Sequence, residues 1–485
     1  MIRLDDSIKV PIYEQLYKEI KRNILSGAYG PDYRLPAIRT LAQSLNISHN
    51  TVNRAYQLLL SEGYIRSTQG SGFYVEELQV LKGSKEKILE NTNEFLQKAL
   101  EPKYDIKFDF SRTGYANEGF SWGKWSGYVQ NAIIDFAYKD IIEESPNMGS
   151  LGLRREVCKY MEKTRGVSCT EEQIIICPNS EQGMEIIVNI LPEKKYKVGI
   201  EEPSSEKMRR IMMTKGFIMN PIPVTPQGLD VNLLEKSDCN LLYITPSFQF
   251  PTGVTLPLAK RIQLLEWCRR NDVYCIENDY ESEYLFGSQP IMSMQALDTS
   301  HRVIYIGTFS NIMTHEIKVS FIVLPNSLLP RYEEKYKYYR CLIPEYEQSA
   351  LTNFIMDGSL DRQSRRMAIL NQKKKKVFFD YVCENMSDIM RCSTESPGTH
   401  CLIEIYGCKD SEGLIHRLKE HGIQIYSTRE YWYHMEEAPE NVFMISFSSI
   451  YEKNIIKACA YFEKELRGIL KAESPENCTR EKREN

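Results

Sequence analysis

The sequence predicts a multidomain chain: an α+β head carrying a helix-turn-helix and a wing, followed by a larger α/β body on a mostly parallel sheet. Three observations carry this. Residues 34–75 hold two short runs with apolar residues at helical spacing, then two short strand-like runs around a glycine-rich tip. Residues 77–105 turn polar and charged, as a linker does. Past Phe108, short runs rich in Ile, Val and Tyr alternate with longer amphipathic segments, the texture of strands wrapped by helices. The 485 residues, 42% hydrophobic, give room for two or three domains. The boundaries expected are 1–76 for the head, 77–105 for the linker, 106–470 for the body and 471–485 for a disordered tail.

In the head, Tyr13, Leu16, Tyr17, Ile20 and Ile24 keep helical spacing behind Pro11, and this opening helix ends at Gly27. Pro36 opens a second helix with Ile38, Leu41, Ala42 and Leu45 on one face; Asn46–Ile47 turn the chain, and Ser48 caps a third helix. There Val52, Ala55, Tyr56 and Leu59 face a core, while Asn50, Asn53, Arg54 and Gln57 form a polar stripe suited to base edges in a major groove. Glu62–Gly63 stop this helix, and Tyr64–Ser67 and Phe73–Val75 read as the strands of a wing joined through Thr68–Gly72. Residues 34–72 carry four basic side chains (Arg34, Arg39, Arg54, Arg66) against one acid, Glu62, the local positive balance that a DNA face needs. A protein-docking role for such a head is the alternative.

In the body the expected strands are Ile174–Cys177, Lys197–Ile200, Leu241–Thr245, Val273–Ile276, Val303–Gly307 and Ser320–Leu324. Sites on such sheets lie beyond the carboxyl ends of the strands, so the residues ending these runs are the functional candidates. The linker is expected to be partly helical around Ile88–Leu100.

The net charge of −4 is slight, so any basic footprint is local to the head. No apolar run reaches membrane-spanning length and the start lacks the features of a secretion signal, which points to a cytoplasmic protein without a membrane partner. Thirteen cysteines are scattered singly without zinc-ligand spacing, so reduced thiols and no metal site are expected. Cys177, Cys275 and Cys401 lie in apolar runs and read as small core residues.

LPAIRTLAQSLNIS, NTVNRAYQLLLSEGYI and QGSGFYV, within residues 11–75, resemble the GntR family of winged helix-turn-helix regulators. The resemblance implies that Arg34 and Arg39 hold phosphates, that Ser48, Asn50 and Thr51 stand at the mouth of the recognition helix beside Asn53 and Arg54, and that Gly70 and Gly72 shape the wing. His49 stands where the family usually has arginine, and a neutral imidazole loses a bidentate guanine or phosphate contact.

Five further stretches, 150–169, 172–191, 243–257, 276–286 and 307–325, follow the order found in fold-type I aminotransferases. Joined to a GntR head they resemble the MocR subfamily of transcriptional regulators, over residues 11 to about 466. That resemblance implies a fold-type I aminotransferase-like body, double-stranded DNA as partner, and a head-to-tail homodimer whose two heads read paired half-sites, with ligand binding shifting their spacing.

It also implies pyridoxal phosphate held on a lysine after GTFS, where this chain has Ser310–Asn311. A carboxamide cannot form the imine or shuttle the proton of transamination. Lys318 stands where an arginine clasps the cofactor phosphate, keeping the charge but losing the fork. Asn278 replaces the aspartate that pairs the ring nitrogen, while Tyr280 survives beside the ring's phenolic oxygen. Phe248 replaces the usual histidine, Ser205 an aromatic residue near the ring, and Met444 an arginine for the substrate carboxylate. The phosphate nest reads Pro178–Asn179–Ser180 followed by Glu181; Asn179 tolerates left-handed backbone and Ser180 can cap, so an anion is expected to bind amides there. The degenerate pocket is thus expected from Asn179, Ser180, Glu181, Asn278, Tyr280, Ser310, Asn311 and Lys318, with no catalytic residue and with pyridoxal phosphate lost or held only non-covalently.

Lys373–Lys376 with Arg365 and Arg366 read as a solvated helix face. The reading as a whole is a DNA-binding transcriptional regulator whose body dimerises and senses a small anionic or amino-acid-like effector. The rivals are a working pyridoxal phosphate-dependent aminotransferase, a cofactor-responsive regulator, and a protein-interaction scaffold.

Overall fold

The computed structural model describes residues 11–68, 71–76, 104–110, 118–138, 146–281, 292–314, 316–392 and 398–472. It divides into two compact units, residues 1–103 and 104–485.

The first unit holds α1 (Ile12–Leu25), α2 (Ile38–Leu45), α3 (His49–Ser61), β1 (Ile65–Thr68) and β2 (Gly72–Val75). Leu16, Ile20 and Ile24 of α1 meet Leu41 and Ala42 of α2 and Val52, Ala55, Tyr56 and Leu59 of α3 in one core, closed by Leu35, Ile65 and Val75. The second helix starts later than Pro36: Ala37, in extended backbone, precedes its first residue, and the Pro36 carbonyl instead accepts the Tyr56 hydroxyl at 2.9 Å. Asn46 ends α2 in left-handed backbone (φ 52°), a conformation asparagine tolerates. Ser48 Oγ then accepts the Thr51 N–H at 3.1 Å, capping α3. β1 and β2 pair antiparallel from Ile65↔Val75 to Thr68↔Gly72 and form the wing. The expected linker helix, Gly70 of the wing tip and the tail past residue 472 lie outside the described residues.

The second unit is organised on an eight-stranded sheet. Its strands are β4 (Ile174–Cys177), β5 (Lys197–Glu202), β6 (Ile218–Thr225), β7 (Gly228–Leu229), β8 (Leu241–Ile244), β9 (Tyr274–Asn278), β10 (Val303–Thr308) and β11 (Ser320–Val323), with β3 (Phe108–Asp109) pairing elsewhere. The order is β4-β11-β10-β9-β8-β5-β6-β7, with parallel pairing from β10 through β6 and antiparallel β11 and β7. Both faces are covered. Ile174 and Ile176 of β4 enter one core and Ile175 and Cys177 the other, which is why these runs are apolar at every position.

A smaller sheet of β12 (Met390–Cys392), β13 (His400–Ile405), β15 (Tyr426–Ser427) and β16 (Val442–Ser446), with β14 (Ile423–Gln424) pairing β3, packs on helices 359–385, 411–420 and 455–472. The basic residues of helix 359–385 depart from the solvated face expected at two positions. Lys374 and Lys375 are buried at 2% and 8% exposure, and Lys374 is paired with Glu118. Arg365, Arg366, Lys373 and Lys376 are exposed as expected, and only the middle pair of lysines is turned inward by the 3.6-residue period. Cys177, Cys275 and Cys401 are buried core residues. Among the described residues no helix is long and apolar enough to cross a membrane, and no group of three His, Cys, Asp or Glu could hold a metal ion.

Candidate nucleic-acid interface and ligand pocket

On the head, the third helix presents Ser48, His49, Asn50, Arg54 and Gln57 to solvent, with Thr51 and Asn53 half-buried beside them. Arg54 does not wave freely. Its guanidinium lies 4.1 Å over the Tyr13 ring of α1, which fixes its direction before any partner arrives. Arg34 is exposed, pairs through its backbone with Tyr74, and lays its side chain along the wing: a Cβ added at Gly72 would lie 3.7 Å from its Nε. Gly72 has φ 113°, a conformation that suits only glycine there. Arg39 is exposed on α2, and neither it nor Arg34 has an ion-pair partner among the described residues. The fourth arginine differs: Arg66 is held by Asp32 and by Glu76 (Nε–Oε2 3.0 Å). The positive balance counted along the sequence therefore overstates the available charge by one. Tyr13 as platform and Asp32 as neutraliser carry no local sequence signal, since each reaches its arginine across more than thirty residues of chain.

In the body, a cavity of about 760 Å³ opens at the carboxyl ends of the parallel strands. Asn179, Ser180, Glu181, Asn278, Tyr280, Ser310, Asn311 and Lys318 all line it, together with Ser205 and Met444. Thr245 and Thr308, which end or follow β8 and β10, also line it and were legible from the strand-end rule. Phe250, Tyr426, Glu430 and Tyr431 were not, because nothing local marks them. Phe248 is not a lining residue; it is buried at 1% and packs edge-on against Tyr280 and His400.

Alternation along β9 sets Glu277 and Asp279 to one side and Asn278 to the other. Glu277 accepts the Met294 and Gln295 N–H groups at 2.8 and 2.9 Å; burial, then the nearby Asp279, push its carboxyl up to about 7. Asp279 is fully buried and faces Arg165, taking Nε at 2.8 Å and Nη2 at 3.2 Å, with the Tyr305 hydroxyl at 2.6 Å. Burial alone would raise its carboxyl, but the Arg165 guanidinium and these hydrogen bonds hold it below the ordinary range. Asn278, between them, faces the cavity and donates from Nδ2 to the Tyr243 hydroxyl at 2.9 Å. A one-residue slip that would bring Asp279 into the place of Asn278 is therefore excluded by the pleat.

The start of helix 180–190 also departs from the expectation of an open anion nest. Asn179 is extended (φ −155°), not left-handed, and its own side chain accepts the Gln182 N–H at 2.8 Å, so the residue that caps is Asn179 and Ser180 is the first helical residue. Glu181 adds a carboxylate at this mouth, 3.5 Å from Lys207. An anion there would find the Gln182 N–H already taken and a carboxylate at the mouth that Lys207 partly offsets. Lys318 is exposed on the opposite lining segment, without an ion-pair partner among the described residues.

The two units thus define a class of protein, a winged helix-turn-helix module joined in one chain to an aminotransferase fold. Residues 12–75 match the bacterial regulatory proteins of the gntR family, and residues 129–314 match aminotransferase class I and II. The chain is 30% identical over 93% of its length to an uncharacterized HTH-type transcriptional regulator, YdeL, of Bacillus subtilis, covering 96% of that protein. It is 26% identical to the probable rhizopine catabolism regulatory protein MocR of Rhizobium meliloti, over 94% of each chain. Among solved structures, the multiple substrate aminotransferase of Thermococcus profundus superposes with a TM-score of 0.68 at 19% identity, over 81% of this chain and 96% of that one. The chain belongs to the MocR subfamily of the GntR-family regulators.

Proposed function

We propose that the chain is a DNA-binding transcriptional regulator, with the head as reader and the body as a non-enzymatic dimerisation platform and effector pocket. The carrying observation is the surface of α3 beside the wing: exposed amides and Arg54, flanked by Arg34 and Arg39 with no ion pair to neutralise them among the described residues. In this reading Asn50, Asn53 and Arg54 address base edges. Arg34 and Arg39 hold phosphates, Ser48 and Thr51 set the helix mouth, and Gly72 lets the wing approach the backbone. His49 alters which operator is preferred.

The body is read as having abandoned the cofactor of its fold. The residues present do not fit covalently held pyridoxal phosphate: Asn311 supplies no amine, Asn278 has no charge to stabilise a protonated ring nitrogen and gives one amide hydrogen to Tyr243, and at the phosphate position Asn179 takes the Gln182 N–H beside Glu181. No step through that group is therefore assigned to this chain. Two copies joined through the body would present two heads to paired half-sites.

The test is selection of binding sequences from a random duplex pool, followed by titration of the winner. Sedimentation of the free protein gives the dimer independently. Recovery of a paired motif whose binding falls by about tenfold or more per head on Arg39→Ala with Arg54→Ala supports the reading. Recovery of no motif, or binding unchanged by those substitutions, would leave the interaction-scaffold alternative.

A further inference from the structure

We infer that Cys158 and Cys169 form an oxidant-responsive thiol pair that closes reversibly to a disulfide; its use as a signal rests on the regulator reading above, the modification itself does not. Cys158 lies on the helix Leu151–Arg165, and Gly166 ends that helix in left-handed backbone (φ 69°). The chain reverses there, and Cys169 returns alongside the helix. The two sulfurs stand 3.6 Å apart, and Cys158 Sγ also lies 3.7 Å from the Cys169 carbonyl oxygen. A disulfide bond of about 2.05 Å then requires the sulfurs to close by about 1.5 Å.

The surroundings separate this pair from the other thiols. Both residues are half-buried, so a small oxidant has access to them. Cys268 and Cys275 are also neighbours, but each is buried at 0%, and Cys401 beside Cys392 is buried likewise. Cys383 is exposed but has no hydrogen-bonded thiol among the described residues. Arg154, one helical turn before Cys158, is buried and spends its guanidinium on the carbonyls of Gly149, at 3.1 Å, and Glu171. It has no ion pair with a carboxylate among the described residues, so its charge remains to favour a thiolate. The Cys169 thiol, donating to Cys158, holds it below the ordinary thiol range; Arg154 adds to this, against burial and the Glu171 and Glu172 carboxylates. The same hydrogen bond, then burial, pushes Cys169 up. Cys158 is thus the attacking sulfur and Cys169 the resolving one.

The oxidant is hydrogen peroxide. The Cys158 thiolate attacks one peroxide oxygen, the O–O bond breaks, and the departing hydroxide takes a proton and leaves as water. Cys158 is then a sulfenic acid. The Cys169 sulfur attacks the Cys158 sulfur, the S–O bond breaks, and the hydroxyl leaves with the Cys169 proton as a second water. Two thiols lose two electrons and two protons, and one peroxide is reduced to two waters. The product ties the helix to the segment leading into Glu171–Gln173 and β4. A dithiol reverses it by thiol–disulfide exchange and is itself oxidised to a disulfide.

The experiment is titration of the reduced full-length protein with hydrogen peroxide, followed by thiol counting and non-reducing peptide mapping. Two thiols per chain should disappear together, linked as Cys158 to Cys169, and dithiothreitol should restore both. Cys158 should react about tenfold or more faster than the exposed Cys383. Cys169→Ser should leave Cys158 as a sulfenic acid that dimedone traps, while Cys158→Ser and Cys158→Ala should both prevent the linkage. Circular dichroism confirms that the variants fold. No linkage between these two residues, prior oxidation of Cys383, or a bridge to another chain overturns the inference. If the disulfide forms and affinity for the selected duplex is equal in the reduced and oxidised forms, the thiol pair stands and only the signalling role falls.

Discussion

Arg66 provides a sharp prediction about the head. Counted along the sequence it equals Arg39, one of four positive charges near the reading helix. In the fold it is bound to Asp32 and Glu76, whereas Arg39 is exposed without an ion pair among the described residues. A protein that neutralises Z phosphates loses affinity with salt at a slope of about 0.9Z on logarithmic axes. Arg39→Ala in both heads of a dimer removes two contacts and should flatten that slope by about 1.8. Over a fourfold rise in salt, the wild-type advantage over the variant should therefore shrink about tenfold. Arg66→Ala should leave the slope unchanged to within about 0.3 and cost under about 1 kcal/mol of stability, as an exposed ion pair does. Fluorescence anisotropy of a labelled duplex across a potassium chloride series measures both. A slope change for Arg66→Ala equal to that for Arg39→Ala would refute the argument, because it would mean that Asp32 and Glu76 release Arg66 to the DNA.

Two predictions concern the body. Glu201 is fully buried, and burial pushes its carboxyl up to about 7 from 4.5 despite hydrogen bonds from the Thr245 N–H and hydroxyl. Its raised value favours the folded state below about pH 4.5 relative to higher pH; stability is lost as pH rises from there through about 7, and Glu201→Gln should remove up to about 3 kcal/mol of that loss, read from thermal unfolding at pH 5 and pH 8. An unchanged difference between the two pH values would show that Glu201 ionises freely. Asp279→Ala strands the Arg165 guanidinium, 5% exposed, without its carboxylate, and should cost about 3–5 kcal/mol by denaturant unfolding. A cost below about 1 kcal/mol would mean that the pair does not hold this part of the fold.

The parts of the molecule that were legible in the sequence are those decided by local pattern. Apolar runs such as Ile174–Cys177 are strands because every side chain has a core to enter, and the period of α3 fixes both its buried and its exposed face. Cavity residues such as Asn278, Tyr280 and Asn311 were reachable because motif order places them at strand ends. What stayed hidden depends on partners distant in the chain. The neutralisation of Arg66 by Asp32, the inward turn of Lys374 toward Glu118, and the arrival of Tyr431 beside Phe250 each need the folded backbone. Asn179 is a different case, since the sequence named the right residue and gave it the wrong backbone: in extended conformation its side chain takes the Gln182 N–H, one of the amides an anion would use.

The central claim is a regulator's body that has given up the chemistry of its fold, and the most direct test is the visible spectrum of the purified chain after incubation with pyridoxal phosphate and dialysis. An Asn311→Lys variant and an authentic class I aminotransferase are treated alongside. The account predicts that the aminotransferase turns yellow while the native chain stays colourless. It also predicts a colourless Asn311→Lys, because a restored amine leaves Glu181 and the self-capped Asn179 at the phosphate position. A native chain that holds one equivalent of the cofactor and turns yellow would contradict the account and restore a cofactor-dependent protein.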